Sequence, residues 1–347
     1  MSGLYVARLD AADPDQRARW DAYVHAHPEG TVFHLAGWQP VLEGAFGHRV
    51  YLLAAMANDG IRGVLPLVHK RSRLFDTALI SNAFCVYGGP LVADEAALAT
   101  LDAAAADLAQ RLRVGHLEYR LRRPLHPAWP CAANRHATFR KAISGDHDAN
   151  LKAIPRKQRA VVRKAIAAGL ETHAGHDLDT FYDLYAESVR NLGTPVFAKD
   201  YLRRLLAEFG DQAEILIVSK DGRPQSGVLS LFFRDEVAPY YGGGRPEARR
   251  TGANDLMYWA VMRRAADAGY RLFDFGRSKV DSGAYHFKKN WGFAPAPLYH
   301  EYKLITADAV PDTTPANPKY SLAIKAWQRL PLWLANRMGP VLARGLG

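Results

Sequence analysis

The amino-acid sequence repeats one plan twice, and this repeat limits the folds open to the chain more than any other feature. Tyr87-Gly88-Gly89 and Tyr241-Gly242-Gly243 lie 154 residues apart, and the same distance separates Gly115 from Gly269. A shared tripeptide alone has little weight, but the order of predicted elements around it is shared as well. Self-similarity at this distance indicates a duplicated domain.

Each half is predicted to contain a β-hairpin, a third strand, a long helix and a returning strand. In the first half, strands over 51–57 and 61–68 flank Asn58-Asp59-Gly60, a strong hairpin signal. The other elements of that half are a helix from Trp20, segments 78–80 and 85–92, a helix over 95–113 and a strand over 116–121. The second half contains helices over 181–191 and 201–209, and strands over 215–219 and 226–233 joined by a turn at Lys220-Asp221-Gly222. A helix over 255–268 capped by Asn254 and a strand over 272–275 follow.

This order matches the fold of the general N-acetyltransferases (GNAT), an α/β fold with a mixed sheet whose central strands splay apart to admit an acyl donor. The sequence therefore predicts two tandem GNAT-like domains, over residues 1–145 and 146–310, followed by a linker and amphipathic tail over residues 311–347. The junction is expected near residues 142–153, a polar segment that contains Ser144-Gly145-Asp146.

Composition narrows the classes of function. A chain of 347 residues with 48% hydrophobic content is large enough for two cores. The net charge of +10 and the pI near 9.5 favour anionic partners such as nucleic acid, nucleotide diphosphates or an anionic membrane. There is no signal-peptide pattern and no window long enough for a transmembrane helix, so a cytoplasmic protein is predicted. The two cysteines and thirteen histidines show no metal-ligand spacing, and we expect no metal site.

The stretch 270–293 contains the strongest candidate for a catalytic site. Apolar residues over 272–275 favour a buried strand, and Asp274 lies near its end, where ligands of α/β proteins collect. A short helix over 284–291 is predicted to follow. On that helix Tyr285 shares a face with Lys288 or Lys289. Because adjacent helical residues point about 100° apart, only one of the two lysines can face a site.

A basic helix over 155–168 is predicted to open the second half. Its charged residues fall within one arc, opposite Val161, Val162, Ala165 and Ile166, and no acid interrupts them. These charged residues are Arg156, Lys157, Arg159, Arg163 and Lys164. The stripe is either an ordinary solvated face or a surface that binds phosphates, which would relieve the repulsion among five like charges.

The segment 249–254 bears on the donor. A coenzyme A donor requires a pyrophosphate-binding turn in which Arg or Gln, two residues, Gly, one residue and then Gly or Ala open a helix. The segment fits until its last place, where Asn254 stands and favours a cap. This weakens an acyl-CoA donor, and Arg249 and Arg250 become candidates to bind tRNA phosphates.

The tail combines apolar and basic residues after a linker at 311–318. Its pattern consists of Leu322, Ile324, Trp327, Leu330, Trp333 and Leu334 among Lys325, Arg329, Arg337 and Arg344. Docking against the first domain is the favoured interpretation. The alternative is peripheral contact with the inner membrane, because tryptophan, leucine and arginine suit that interface. Pro331 and Pro340 are expected to interrupt any long helix.

Seven segments resemble one family closely. They are HPEGTVFHLAGWQPVLEGAFGH, GVLPLVHKRSRLF, FCVYGGPLV, IPRKQRAVVRKAI, ESVRNLGTPVF, YYGGGRPEARRTGANDLMYWAVMRRAADAG and FDFGRSKVDSGAYHFKKNWGF. The chain resembles the FemAB-related proteins associated with the exosortase A and PEP-CTERM system, from about residue 20 to its C-terminus. The resemblance implies tandem GNAT-type domains that transfer an amino acid from aminoacyl-tRNA to an amine of a cell-wall precursor. It also implies that Phe287-Lys288 matches a Phe-Lys pair whose lysine steadies the transition state.

The chemistry of amide formation assigns roles to these residues. We expect Lys288 to stabilise the oxyanion that develops on the donor carbonyl. Asp274 is expected either to orient or deprotonate the incoming amine, or to pair with Arg277 or Arg271. The candidates that line the acceptor site are Tyr285, Lys289, Arg277, Tyr240, Tyr241 and Phe287.

The predicted function is transfer of an amino acid from aminoacyl-tRNA to an amine on a peptidoglycan or exopolysaccharide precursor, with no tightly bound cofactor. One alternative is an acyl-CoA-dependent N-acyltransferase acting on an amino sugar. The other is a non-catalytic protein that binds RNA or a lipid carrier.

Overall fold

A computed structural model describes residues 3–72, 76–311 and 318–345. In the first half of the chain its elements are β1 (Tyr5–Leu9), α1 (Pro14–Ala26), α2 (Trp38–Phe46), β2 (Arg49–Ala57), β3 (Gly60–Lys70), β4 (Ala78–Ser81), β5 (Leu91–Val92), α3 (Glu95–Arg111), β6 (His116–Leu121), β7 (Cys131–Thr138) and β8 (Arg140–Ala142). Then follow α4 (His147–Ala153), α5 (Arg156–Ala167), β9 (Glu171–Gly175), α6 (Leu178–Asn191), α7 (Lys199–Phe209), β10 (Ala213–Lys220), β11 (Arg223–Phe233) and β12 (Glu236–Gly244). The last elements are α8 (Glu247–Thr251), α9 (Ala253–Asp267), β13 (Leu272–Asp274), β14 (Ser278–Lys279), α10 (Gly283–Asn290), β15 (Ala296–Leu304), α11 (Pro318–Gln328) and α12 (Leu332–Ala343).

The described residues divide into two compact units. The first consists of residues 3–135, 297–311 and 343–345, and the second of residues 136–296 and 318–342. These limits differ from the predicted boundary after residue 145. β8 pairs with β13 in the second unit, whereas Tyr299–Leu304 of β15 pair with β6 in the first. Both pairings join strands that are distant in sequence, so no local composition marks them.

The first unit is built on a mixed sheet. Its strands follow in the order β1, β2, β3, β4, β6, β15 and β7, and β5 also pairs with β3. β4 and β6 run parallel because α3 connects them, and β6 pairs with β15 antiparallel at six positions. The apolar side of α3 packs on this sheet, where Leu101, Leu117 and Tyr119 are fully buried.

The second unit repeats the plan. Its sheet has the order β8, β13, β12, β11, β10, β9, and α9 connects the parallel strands β12 and β13. The predicted turn at Lys220-Asp221-Gly222 is confirmed. Asp221 and Gly222 have φ of +50° and +72°, as a two-residue hairpin of this twist requires. The core contains Phe273 and Trp291, both fully buried. The prediction of two repeated α/β domains with GNAT-like order is confirmed.

Several local predictions differ from the structure. α9 begins after Gly252, which has a φ of +80°, and no side chain caps it, so the predicted cap at Asn254 is wrong. In the segment 85–92 only Leu91–Val92 form a strand, because Asn82 and Phe84 turn the chain with positive φ. Ile166 was expected on the buried side of α5, yet 49% of it is exposed.

The tail forms α11 and α12, and Pro331 lies between them as predicted, whereas Pro340 lies inside α12. The prediction that the tail docks against the first domain is wrong for residues 318–342, which belong to the second unit. Most of the predicted linker, residues 312–317, lies outside the described residues.

Candidate active site at the end of strand β13

The candidate site lies where two parallel strands part. β12 and β13 pair only through Glu236 with Leu272 and Val237 with Phe273, although β12 continues to Gly244. The register between β11 and β12 shifts at the same level, and Tyr240 is the additional residue of the resulting bulge. Pro239 has no N–H to offer a neighbouring strand, so the sequence itself favours the separation. The result is an opening between β12 and the end of β13.

Asp274 lies at this opening and is almost fully buried. Its Oδ1 accepts hydrogen bonds from the Thr138 hydroxyl, at 2.8 Å, and from the Gly276 N–H, at 2.7 Å. Its Oδ2 lies 3.4 Å from Arg140 Nε. Arg140 also binds Glu236, the first residue of β12. The sequence did not predict this ion pair between Asp274 and Arg140.

Lys288 is the buried lysine of α10. Its Nζ donates to the carbonyl oxygens of Phe275 at 2.6 Å, Gly276 at 2.9 Å and Arg277 at 3.3 Å. Burial lowers the pKa of Lys288 to about 7, while the charge of Asp274 opposes that shift. The three carbonyls also favour the ammonium form, because it has three N–H donors to match them. Lys288 thus ties α10 to the loop that follows β13.

Lys289 points away from this network. It is exposed, and its Nζ lies 5.6 Å from the centre of the Tyr285 ring. Tyr285 is half-buried and packs edge-on against Phe139. Phe287 is partly buried and packs against Phe275 and other rings of the core. Of the two lysines, only Lys288 therefore reaches the end of β13.

Tyr240 and Tyr241 belong to an aromatic group beside β12. The Tyr241 hydroxyl lies 2.9 Å from that of Tyr201, and the Tyr240 and Tyr241 rings are 4.2 Å apart. Gly243 permits this packing. A Cβ at that position would lie 2.8 Å from Tyr185 Cα, so α6 can approach β12 only where the strand has no side chain.

The basic helix α5 packs against the connection between α8 and α9. A Cβ at Gly252 would lie 3.0 Å from Val161 Cγ1 and 3.3 Å from Ala165 Cβ, both on α5. Among the described residues, no ion pair involves the basic side chains of this region that were predicted to bind phosphate, and all but Arg159 are exposed. They are Arg156, Lys157, Arg159, Arg163 and Lys164 of α5 with Arg249 and Arg250 of α8.

The same connection is poorly suited to a pyrophosphate. Gly252 is covered by α5, and the space above Gly244 is taken by Asn254, whose Oδ1 would lie 2.5 Å from a Cβ there. In the first turn of α9, Asp255 accepts a hydrogen bond from Trp291 Nε1 at 2.9 Å, and burial raises its pKa. A carboxyl group in the first turn competes with a bound anion for the N-terminus of a helix.

The sequence did not reveal every residue of this site. Thr138, Arg140 and Glu236 contact one another or Asp274, but they lie far from residues 270–293 in the chain. Tyr258 of α9 lies under the glycine-rich strand, with its hydroxyl 3.1 Å from where a Gly242 Cβ would be. The only available signal was the alternation of polar residues at 138 and 140 before the predicted junction.

The first unit has a counterpart of the buried acid. Glu118 is the third residue of β6, as Asp274 is the third residue of β13. In each unit this strand pairs in parallel with a strand that precedes the long helix, β6 with β4 and β13 with β12. Arg120 Nε donates to Glu118 at 2.8 Å, and the His300 imidazole lies 2.9 Å from it. Residues 122–130, however, form a loop where the second unit has α10. Within the described parts of the chain, only the second unit therefore combines the buried acid with a buried lysine on a following helix.

Comparisons with known proteins agree with this architecture. Residues 155–289 match the family described as an acetyltransferase (GNAT) domain, which supports an acyltransferase. No curated protein matches the chain. The crystal structure of FemX has 17% identity and a TM-score of 0.67, over 84% of this chain and 96% of FemX.

Two further structures are similar. A tandem GNAT protein from the clavulanic acid biosynthesis pathway, solved without AcCoA, has 14% identity and a TM-score of 0.56, over 89% of this chain and 100% of its own. The C-terminal domain of a putative lysylphosphatidylglycerol synthetase from Agrobacterium fabrum has 13% identity and a TM-score of 0.53, over 83% and 92%. At these identities the likeness shows the fold, which is that of tandem GNAT proteins.

Two kinds of feature are absent from the described residues. No helix in this part of the chain is long and apolar enough to cross a membrane. Nor do the described His, Cys, Asp and Glu side chains form a group of three or more placed to hold a metal ion.

Proposed function

We propose that this chain transfers an amino acid from aminoacyl-tRNA to an amine on a cell-envelope or exopolysaccharide precursor. The observation that carries the proposal is the hydrogen bond from Lys288 Nζ to the Phe275 carbonyl at the end of β13. This contact lies at the opening between the parallel strands β12 and β13. The resemblance of FDFGRSKVDSGAYHFKKNWGF to the Fem transferases supports the same reaction. Because the donor is a cytoplasmic molecule, we propose that the reaction takes place in the cytoplasm.

The proposed step is aminolysis of an ester. The acceptor amine attacks the carbonyl carbon of the aminoacyl ester, and the carbonyl oxygen takes up the negative charge. Collapse of this intermediate breaks the bond to the ribose oxygen, which receives the proton that the amine loses. The products are an amide and uncharged tRNA.

Lys288 stabilises the oxyanion in this proposal. Its N–H groups already contact three carbonyls, and the contact with Arg277 O, at 3.3 Å, is the longest. That N–H is the one that changes partner when the donor carbonyl arrives, because the shorter bonds to Phe275 and Gly276 hold the side chain in place. One such donor accounts for roughly 3 kcal/mol of transition-state stabilisation.

Asp274 acts as a positioning residue rather than as a base. Its oxygens are occupied by Thr138, Gly276 N–H and Arg140, so it fixes the loop whose carbonyls hold Lys288. Its negative charge also raises the pKa of Lys288 against the effect of burial and so favours the ammonium form. Tyr285, Lys289 and Arg277 remain our candidates to contact the acceptor.

The connection between α8 and α9 favours tRNA over coenzyme A. A CoA donor would have to place its pyrophosphate where α5 covers Gly252 and where Asp255 adds a carboxyl group. The basic residues of α5 and α8 instead offer seven positive charges to an extended polyanion.

Equilibrium binding tests the donor. Fluorescent tRNA, charged with alanine, serine or glycine or left uncharged, is titrated at about 150 mM salt with coenzyme A as competitor, because non-specific phosphate contacts weaken at that salt concentration. We expect one charged species to bind best, and coenzyme A not to displace it. Equal weak binding of every tRNA, together with protection from thermal unfolding by coenzyme A, would favour the acyl-CoA alternative.

A charge-reversal pair tests the basic surface. The variant that combines Arg163→Glu with Lys164→Glu should lose about two phosphate contacts. The slope of log tRNA affinity against log salt concentration should therefore become less steep by roughly 1.5. Lys220→Glu with Arg223→Glu is the matched control with the same change in charge, since both residues lie in the second unit but flank a hairpin turn. An equal loss of affinity in both variants would show that net charge, rather than this surface, binds the tRNA.

A further inference from the structure

We propose that one side of α12 is a docking surface for an anionic lipid bilayer. This surface, the α12 stripe, consists of Trp333, Arg337, Met338 and Val341. The side chains of Trp333, Met338 and Val341 are 69%, 43% and 76% exposed, which is unusual for apolar residues of this size. Their spacing places all four residues within an arc of roughly 140° on one side of the helix.

The opposite sides of the tail helices are already packed on the second unit. Ala335 is buried, and a Cβ at Gly339 would lie 2.9 Å from the Val196 nitrogen. On α11, Gln328 Nε2 donates to Asn191 O at 3.1 Å, and Arg190 Nη1 donates to Gln328 O at 3.1 Å. These contacts fix the rotation of the helices, so the exposure of the α12 stripe is a property of the folded unit.

Charge identifies the partner. Residues 318–345 contain five lysines and arginines and no aspartate or glutamate. Arg337 lies within the α12 stripe, and Lys325 of α11 is exposed as well. A second copy of this chain would bring like charges together, so self-association is disfavoured. An anionic surface neutralises them.

The apolar residues of the α12 stripe favour a lipid surface over a nucleic acid as the partner. Phosphates of a nucleic acid would pair with the basic residues but leave Val341 and Met338 in water. A bilayer interface accepts both parts, because tryptophan and aliphatic side chains enter the boundary between head groups and acyl chains while arginine binds lipid phosphate. At about 12 residues, α12 suits a helix that lies in the interface.

Vesicle flotation of the full chain tests the proposal. Vesicles of phosphatidylcholine with roughly a third phosphatidylglycerol are compared with pure phosphatidylcholine vesicles at about 150 mM salt. We expect at least about tenfold stronger partitioning onto the anionic vesicles. Trp333 is the most exposed tryptophan of the described residues, so its emission should shift to the blue on binding and be quenched by brominated lipids.

Charged substitutions locate the contact. Val341→Glu should reduce partitioning at least about tenfold, and Arg337→Glu should abolish the preference for anionic lipid. Ile166→Glu is the matched control, since Ile166 is 49% exposed on the basic helix α5, and it should bind as the wild type does. Circular dichroism and thermal unfolding of each variant establish that it is folded.

Three outcomes would overturn the proposal. The first is equal partitioning of the wild-type chain onto both kinds of vesicle. The second is a loss in Ile166→Glu as large as that in Val341→Glu, which would transfer the contact to α5. The third is a concentration-dependent dimer that Val341→Glu dissociates, which would make the stripe an interface between copies. None of these outcomes depends on which donor the transferase uses.

Discussion

Replacing Lys288 by methionine should change how the stability of the second unit depends on pH. Methionine keeps an unbranched, apolar side chain of similar length but removes the ammonium group and its three hydrogen bonds to carbonyls. Burial lowers the pKa of Lys288 from 10.5 to about 7 in the folded chain. Between these two values the unfolded chain binds a proton at this lysine that the folded chain lacks.

The sign and size of the effect follow from proton linkage. Because the unfolded state binds more protons, the stability of the wild-type chain rises with pH from about 7 to about 10.5 relative to the variant. The relative folding equilibrium changes by up to about tenfold per pH unit. Between pH 7.5 and 9.5 the difference in free energy of unfolding should therefore move by roughly 3 kcal/mol in favour of the wild type.

Urea unfolding at pH 7.5, 8.5 and 9.5 measures this difference without a substrate. Circular dichroism and tryptophan fluorescence together identify the transition of the second unit, because the two units need not unfold in one step. Lys289→Met is the matched control, since its side chain is exposed and its difference from wild type should stay constant with pH. A constant difference for Lys288→Met would refute the reasoning, and would show that the carbonyls and Asp274 keep the ammonium charged throughout.

Three further predictions concern single side chains. Lys288→Ala should slow transfer by two to three orders of magnitude, roughly the loss of one oxyanion donor, whereas Arg223→Ala, at an exposed hairpin turn of the same unit, should change the rate less than about twofold in the same assay. Asp274→Asn should cost about 3 kcal/mol in urea unfolding because it removes the buried carboxylate that binds Thr138, the Gly276 N–H and Arg140, and a loss below about 1 kcal/mol would contradict this network. Burial lowers the pKa of His126, but the carboxylates of Asp102 and Glu301 outweigh this effect and raise it to about 9. Below pH 6.5, His126→Gln should therefore be about 2 kcal/mol less stable than the wild type. In thermal unfolding this difference should vanish as pH rises through 9.

The repeat in the sequence was enough to predict the hairpin, third strand, long helix and returning strand of each unit. Its strongest local signals, the turns at Asn58-Asp59-Gly60 and Lys220-Asp221-Gly222, fix hairpin registers by backbone geometry alone. The helix after β13 was also predicted to within one residue, because Ser282 caps it and Gly292 ends it. Local rules succeed where the cause of a structure lies within a few residues.

The remaining features depend on distant partners. The buried partner of Asp274 is Arg140, a residue on β8 that the sequence assigned to the other domain. The start of α9 was misplaced because Gly252 caps the end of α8 and also precedes α9 directly, which a capping rule applied to Asn254 alone does not reveal. Spacing on α10 narrowed the site to Lys288 or Lys289, but only the loop over 275–277 distinguishes them.

The pairing of β15 with β6 also has a consequence for biosynthesis. The edge of β6 finds its partner only after residue 304 has left the ribosome, although β6 itself ends at Leu121. At about 5–20 residues per second, the delay is roughly 10–40 s. During that interval a six-residue strand edge is open to other chains, which is a known route to aggregation. The first unit is thus begun first and completed last, and we expect the nascent chain to need a chaperone until β15 emerges.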